Sequence, residues 1–242
     1  MQVAKMQNAV FISGAGKRIG EFLVRQFLAH SDYPVIFSYR SLRPQVEELM
    51  ALGAVGVQAD FTKPHDLAGL VDEIEQQVGS LRAVIHNASL WMDDHQAPPG
   101  SLGYHQMFAV HVEAPHFLNT ALAPLLLQSD SELKDIISLS DYSVDRVKAD
   151  HIGYLASKAA LRTLSQGYAK KFAPQIKVND IAPSLIIFHA DDSDEYKQQR
   201  LAQAALPIEP GAKVIWQAVQ YLMDNCYTTG TSLRLDGGRF IM

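Results

Sequence analysis

Short apolar runs alternate with longer amphipathic stretches along the whole of this 242-residue chain, and few architectures can accommodate that pattern. The short runs read as strands at Ala9 to Ser13, Pro34 to Tyr39, Val55 to Ala59, Ala83 to His86, Asp135 to Leu139, Lys177 to Ile181 and Ser232 to Leu235. Between them, helical periodicity places helices near Ile19 to His30, Pro44 to Leu52, Pro64 to Gln77, Leu102 to Leu127, Ile152 to Phe172 and Ala212 to Met223. That alternation implies a parallel sheet, with crossover helices covering both faces. The expected fold is α/β, a doubly wound parallel sheet of about seven strands in one domain spanning 1–242.

With 48% hydrophobic residues the chain can bury a large core, and no repeat, low-complexity tract or linker divides it. Its net charge of -5 comes without a basic stripe, which speaks against nucleic acid as a partner. The first residues lack the charged start and apolar centre of a signal peptide, and no apolar run nears the ~18 residues of a membrane span. A cytoplasmic protein with no membrane partner is expected. The single cysteine, Cys226, permits neither an intrachain disulfide nor a thiolate cluster and is expected to be a small buried hydrophobe. Among the histidines, His86, His95, His105, His111, His116 and His151 form no His-x-x-x-His pair on one helix backed by a carboxylate, so no metal is expected. One stretch, 183–210, is irregular: it carries Asp191-Asp-Ser-Asp-Glu195 and room for a short helix. It reads as a substrate-binding lid, with a solvated loop as the alternative.

The first strand runs into Ser13-Gly-Ala-Gly-Lys-Arg-Ile-Gly20. Glycines after a strand and before a helix let backbone N–H groups approach a pyrophosphate at the positive helix end. Lys17 and Arg18, followed by Ile19, add charge-assisted donors to that turn, and the Arg18 guanidinium can reach beyond the cofactor. About twenty residues on, where a site selective for NAD carries an acid, the chain reads Phe37-Ser-Tyr-Arg-Ser41. Arg40 and Ser41 suit a 2'-phosphate, so NADPH is the expected cofactor. Farther along, Tyr154 and Lys158 stand four residues apart in a long helix, which stacks the two side chains on one face. The ammonium beside the phenol is expected to favour its ionised form and make it an acid or base near neutrality. Chance alone would give about half a Tyr-x-x-x-Lys per chain of this composition, so the pair gains meaning only with the glycine turn before it.

The turn resembles the Thr-Gly-x-x-x-Gly-x-Gly of the short-chain dehydrogenase/reductases, with Ser13 for the threonine, Gly14 and Gly20 in place, and Arg18 where the middle glycine stands. The resemblance extends through Asp60, similar to the family's adenine-binding Asp, and Asn87 at the end of the fourth strand, to Pro183-Ser184, similar to its nicotinamide-contacting Pro-Gly turn. It implies a Rossmann-like sheet, a cofactor site that also includes Tyr39, Phe61, Ser89, Tyr154 and Lys158, and a homotetramer packed through the helices that begin near Leu102 and Ile152. Four departures are similar to the branch of pteridine reductases and bacterial dihydromonapterin reductases: Lys17-Arg-Ile-Gly20 in the turn, Asn87-Ala-Ser89 for Asn-Ala-Gly, Trp91 after it, and Asp141 in place of the catalytic serine, thirteen residues before Tyr154. His111 stands where many relatives have Asn, and its role is left open.

That resemblance implies NADPH-dependent reduction of 7,8-dihydropterins, in the first place 7,8-dihydromonapterin to tetrahydromonapterin, with weaker reduction of dihydrofolate. Tyr154, Lys158 and Asp141 would be catalytic. Trp91 would press the flat pterin against the nicotinamide, while Arg18, Ser89, Asp141 and Tyr154 meet its polar edge. Two alternatives remain: a carbonyl reductase acting on a 3-oxoacyl thioester or small ketone, and a non-catalytic NADPH-binding sensor.

Overall fold

Val10 and Ile12 point to one side of the first strand, Ala9 and Phe11 to the other, and the two sets end in different cores. The computed structural model describes residues 4–242. In chain order its elements are β1 (Ala9–Ile12), α1 (Arg18–His30), β2 (Val35–Tyr39), α2 (Pro44–Ala51), β3 (Val55–Gln58), α3 (Pro64–Gln77), β4 (Leu81–His86) and α4 (Leu102–Phe108). A π-helical turn (Ala109–Glu113) then leads into α5 (Ala114–Leu127), β5 (Asp135–Leu139), α6 (Ile152–Phe172), β6 (Lys177–Pro183), α7 (Asp194–Leu201), α8 (Lys213–Asp224) and β7 (Ser232–Leu235).

The seven strands form one sheet in the order β3-β2-β1-β4-β5-β6-β7, parallel throughout. Helices α3, α5 and α6 bury Leu70, Ile74, Leu118, Leu122 and Tyr168 on one face. On the other, α1, α2 and α8 bury Leu23, Phe27, Leu49, Ile215 and Leu222. The order reverses between β1 and β4, and a crevice opens there at the carboxyl ends of the strands, where a sheet of this kind binds its ligands. No helix among the described residues is long and apolar enough to cross a membrane.

Three differences from the sequence expectations concern helix continuity, a strand start and a burial. The helix expected over Leu102 to Leu127 is interrupted by the π turn, closed by the Ala114 N–H bonding to the Ala109 carbonyl. Pro115 follows with no N–H to continue an ordinary ladder, and the widened turn places His111 wholly inside the protein. Strand β4 starts at Leu81 rather than Ala83, because Arg82 is not a boundary: its Nη1 lies 2.6 Å from Asp135 Oδ2 on the neighbouring strand, buried. Lys177 Nζ, 3.1 Å from Asp135 Oδ1, completes a buried ionic triad along the amino edge of β4, β5 and β6. Cys226 is exposed, not buried, since it follows the end of α8 on the surface connection to β7.

Candidate active site

The turn after β1 is built for close approach. Gly14 has φ +65°, and a Cβ there would stand 2.6 Å from Ala88 Cα; one on Gly20 would stand 2.5 Å from Asn87 Nδ2. Asn87 Nδ2 donates to the Ser13 and Gly14 carbonyls at 3.0 Å each, tying the ends of β4 and β1 together. Ser13 is fully buried, and its Oγ accepts the N–H groups of Asn87 and Ala88 at 3.0 Å. It braces the turn and lines neither of the cavities described next, unlike its expected place against the cofactor. Lys17 is the N-cap residue of α1 without a side-chain bond to it, so the first-turn N–H groups are not capped from within. Arg18, standing where the family pattern has glycine, has φ +54° and adopts the left-handed conformation that glycine takes at no cost.

Two cavities flank this turn. The smaller, of about 130 Å³, is lined by Gly14, Lys17, Tyr39, Arg40, Ser41, Asp60, Phe61 and Ser89, together with Arg43, which sequence reasoning overlooked. The signal was available, a second arginine three residues past Arg40 and just ahead of the Pro44 that opens α2. Burial pushes the Asp60 carboxyl up, but the Thr62 N–H and hydroxyl, with the charges of Lys63 and Arg40, hold it below its ordinary value. An acidic partner for a ring and a cluster of cations with a serine thus share one pocket. A narrow glycine cradle at an open helix N-terminus leading to such a pocket fits a phosphorylated dinucleotide.

The larger cavity, of about 670 Å³, brings together Arg18, Ile19, Asn87, Ser89, Trp91, Asp141, Tyr154, Lys158, Pro183 and Ser184. Asp141 follows β5 and caps a short 3-10 turn, its Oδ1 accepting the Ser143 N–H at 2.7 Å. Its Oδ2 faces the Tyr154 hydroxyl at 3.4 Å. Here the expected chemistry of the phenol is corrected. Burial first, then the Asp141 carboxylate, pushes Tyr154 well above its ordinary value, so it keeps its proton. Lys158 is a neighbour, with Nζ 5.8 Å from the Tyr154 ring centre, but it donates to the Leu139 carbonyl at 2.9 Å rather than to the phenol. Burial lowers Lys158 to about 8 against the opposing pull of Asp141 and Asp180. Asp180, unforeseen from sequence, is buried beneath the site and held by the hydroxyls of Ser140 and Ser232 at 2.6 Å each.

His111 has a definite arrangement. The Leu90 N–H must donate, so Nε2, 3.1 Å away, is an acceptor, and it also meets the Ser89 hydroxyl at 2.9 Å. The ring proton therefore sits on Nδ1 and goes to Ser157 Oγ at 2.8 Å, while the Ser157 hydroxyl donates to the Tyr154 carbonyl at 2.6 Å. Burial and then the Lys158 charge hold the imidazole neutral, well below its ordinary value. Trp91, by contrast, is 54% exposed on the cavity wall, its ring centre 5.0 Å from that of His151. The 183–210 segment supplies another wall, and Arg18 is bonded to it: Nη2 donates to the Ile187 carbonyl at 2.7 Å and Nη1 lies 2.6 Å from His189 Nε2. Among the described residues no group of three His, Cys, Asp or Glu side chains is arranged to hold a metal ion.

A doubly wound sheet with this turn at its switch point, opening onto a Tyr/Lys pair in an adjoining cavity, defines a dinucleotide-dependent oxidoreductase. A family model described as Enoyl-(Acyl carrier protein) reductase matches residues 14–239. The dihydromonapterin reductase of Enterobacter sp. (strain 638) is 42% identical over 96% of this chain and 97% of its own, and that of Escherichia coli O6:K15:H31 (strain 536 / UPEC) is 41% identical over 96% of both. The crystal structure of FolM Alternative dihydrofolate reductase 1 from Brucella canis complexed with NADP superimposes with a TM-score of 0.85 at 26% identity, covering 98% of this chain and 96% of that one. The chain belongs to the short-chain dehydrogenase/reductase family.

Proposed function

We propose that this protein is an NADPH-dependent reductase of 7,8-dihydropterins, converting 7,8-dihydromonapterin to tetrahydromonapterin and dihydrofolate less well. The observation that carries this reading is the Asp141 carboxylate facing the Tyr154 hydroxyl inside the larger cavity. Reduction of a ketone builds negative charge on the substrate oxygen, and a carboxylate beside it opposes that charge. Reduction at C6 of a dihydropterin is helped by protonation at N5, which makes the C6–N5 bond a cationic acceptor that a carboxylate stabilises. The relatives named for dihydromonapterin and dihydrofolate reduction support the same choice.

NADPH, when bound, supplies the hydride for C6. Gly14, Lys17 and the first turn of α1 hold its phosphates, Arg40, Ser41 and Arg43 its 2'-phosphate, and Asp60 with Tyr39 and Phe61 its adenine. Lys158 and Asn87 order the site near the ribose and nicotinamide, beside Pro183 and Ser184. Tyr154 keeps its proton at neutral pH and positions it for N5, directly or through a water, with Asp141 as its partner. Trp91 covers the ring, Ser89 and Arg18 meet its edge, and the 183–210 segment acts as a lid within a single catalytic domain. The exposed apolar side chains of Leu102, Phe117 and Ile152 on α4, α5 and α6 suit a homotetramer in the cytoplasm, to be tested by sedimentation.

The deciding experiment compares initial rates of NADPH oxidation with 7,8-dihydromonapterin, 7,8-dihydrobiopterin, dihydrofolate and an acetoacetyl thioester. Preference for the dihydropterins is expected. Turnover of the thioester alone would return the protein to the carbonyl reductases, and no turnover with any substrate to a binding role. A Tyr154→Phe enzyme that kept full turnover would remove the phenol from the mechanism.

A further inference from the structure

Several buried and half-buried basic groups have acidic partners: Arg82 and Lys177 share Asp135, Arg162 meets Asp145, and Arg25 meets Glu21 and Glu48. Lys158, buried in the wall of the larger cavity, is met by the Leu139 carbonyl, whereas exposed Lys148, half-buried Arg200 and buried Arg239 beside that cavity have neither an acid nor a full set of acceptors. Arg239 is 5% exposed, yet its Nη1 is buried without a hydrogen-bond partner. Its Nη2 donates to Gln203 Oε1, the same oxygen that Arg200 Nη1 reaches at 3.5 Å, and Arg200 Nε is again buried without a partner. Lys148, on the loop before α6, lines the cavity with Arg200 and Gln203. Arg200 also borders a neighbouring apolar pocket of about 200 Å³ that Arg239 lines.

None of the three forms an ion pair among the described residues. The acids lining the two cavities have partners of their own: Asp141 accepts from Ser143 and Tyr154, Asp150 meets His151, Asp192 accepts the His189 N–H, and Asp236 accepts the N–H groups of Gly238 and Phe240. The cations feel one another. Burial and then the charges of Arg200 and Arg239 lower Lys148 against the weaker pull of Asp150 and Asp141, and burial and then Arg200 lower Arg239 against Tyr142. Guanidinium groups held together, partly desolvated and with donors unmet, are costly unless an anion completes them. The donors that are missing partners belong to planar forks suited to carboxylate or phosphate oxygens.

We propose that Lys148, Arg200 and Arg239 form an anion subsite of the reaction cavity, which takes a carboxylate or phosphate carried on the substrate's side chain. The inference rests on the dihydropterin reading for the ring, and it adds that an anionic tail, where a substrate carries one, is held at this subsite. A pterin with a neutral hydroxyalkyl chain leaves the subsite unfilled. The glutamyl carboxylates of dihydrofolate and the phosphate of a dihydroneopterin phosphate ester are two sources of the same chemistry.

The test has two arms, both with Arg200→Gln and Lys148→Gln, which spare the more buried Arg239. First, kcat/KM is measured for 7,8-dihydromonapterin, dihydrofolate and 7,8-dihydroneopterin 3'-monophosphate. The ratio of anionic to neutral substrate is expected to fall roughly tenfold or more in each variant, as loss of a charge-assisted contact implies. Whichever anion loses more names the source. An unchanged ratio overturns the proposal, including when all three substrates slow equally. Second, protein saturated with NADP+, so that the cofactor's phosphate contacts are filled, is titrated calorimetrically with inorganic pyrophosphate. Binding that weakens at least tenfold in the variants supports the subsite even if no dihydropterin is turned over, whereas absence of binding to the unmodified protein, or equal binding to all three, sinks it.

Discussion

Replacing Lys158 with methionine tests the electrostatics of the site through folding alone. Burial lowers the ammonium from 10.5 to about 8 in the folded chain. Below pH 8 it is charged in both states, and folding bears the whole cost of burying that charge. Between about 8 and 10.5 the unfolded chain keeps a proton that the folded chain has released, so stability rises with pH across this window. At about 1.36 kcal/mol per pH unit, the rise amounts to about 3 kcal/mol. The raised phenol of Tyr154 works in the opposite sense: its stabilisation is present below its unfolded value and is lost as pH rises through the folded one. It is common to both proteins and cancels in their difference. The assay is urea unfolding of cofactor-free protein and Lys158→Met at a fixed protein concentration, from pH 7 to 10.5. The unmodified protein should gain about 3 kcal/mol on the variant over that range. A difference that is flat, or that falls with pH, would refute a buried and weakened ammonium.

Asp135→Ala leaves Arg82 and Lys177 buried without their shared carboxylate, and urea unfolding should show a loss of about 3–5 kcal/mol; a loss below about 1 kcal/mol would mean that the triad is solvated. Arg40→Ala should raise KM for NADPH roughly tenfold or more while leaving NADH little changed; equal effects on both cofactors would place Arg40 away from the 2'-phosphate. His111→Phe removes the acceptor for the Leu90 N–H and should destabilise by about 1–3 kcal/mol. In the unmodified protein the His111 imidazole should titrate well below an ordinary histidine by NMR, and a midpoint at the ordinary value would contradict a buried, neutral ring.

Local pattern was enough for most of the fold. Helix α3 begins at Pro64 and ends at Gln77 as its sequence indicates, because Pro at the first turn and the apolar spacing of Leu67, Leu70, Val71 and Ile74 are local properties. Where partners come from distant residues, pattern fails. Arg82 looks like a strand boundary until Asp135 and Lys177 are set beside it, and His111 cannot be read without the turn that carries it inward. The Tyr154/Lys158 spacing located the neighbour correctly but not the balance of forces on the phenol, which burial and Asp141 decide. Lys148, Arg200 and Arg239 lie on three separate segments, so no spacing links them.

Arg18 has a kinetic consequence. It belongs to the turn that fits the cofactor, yet its guanidinium is fastened to the Ile187 carbonyl and His189 across the cavity. On the proposed reading, a single side chain joins the turn that would hold the cofactor to the segment that would cover the substrate, and the two ligands should not come and go independently. Compulsory-order turnover follows, with dinucleotide first on and last off: NADP+ should inhibit competitively against NADPH and non-competitively against the pterin, and Arg18→Ala should relax that pattern toward random order.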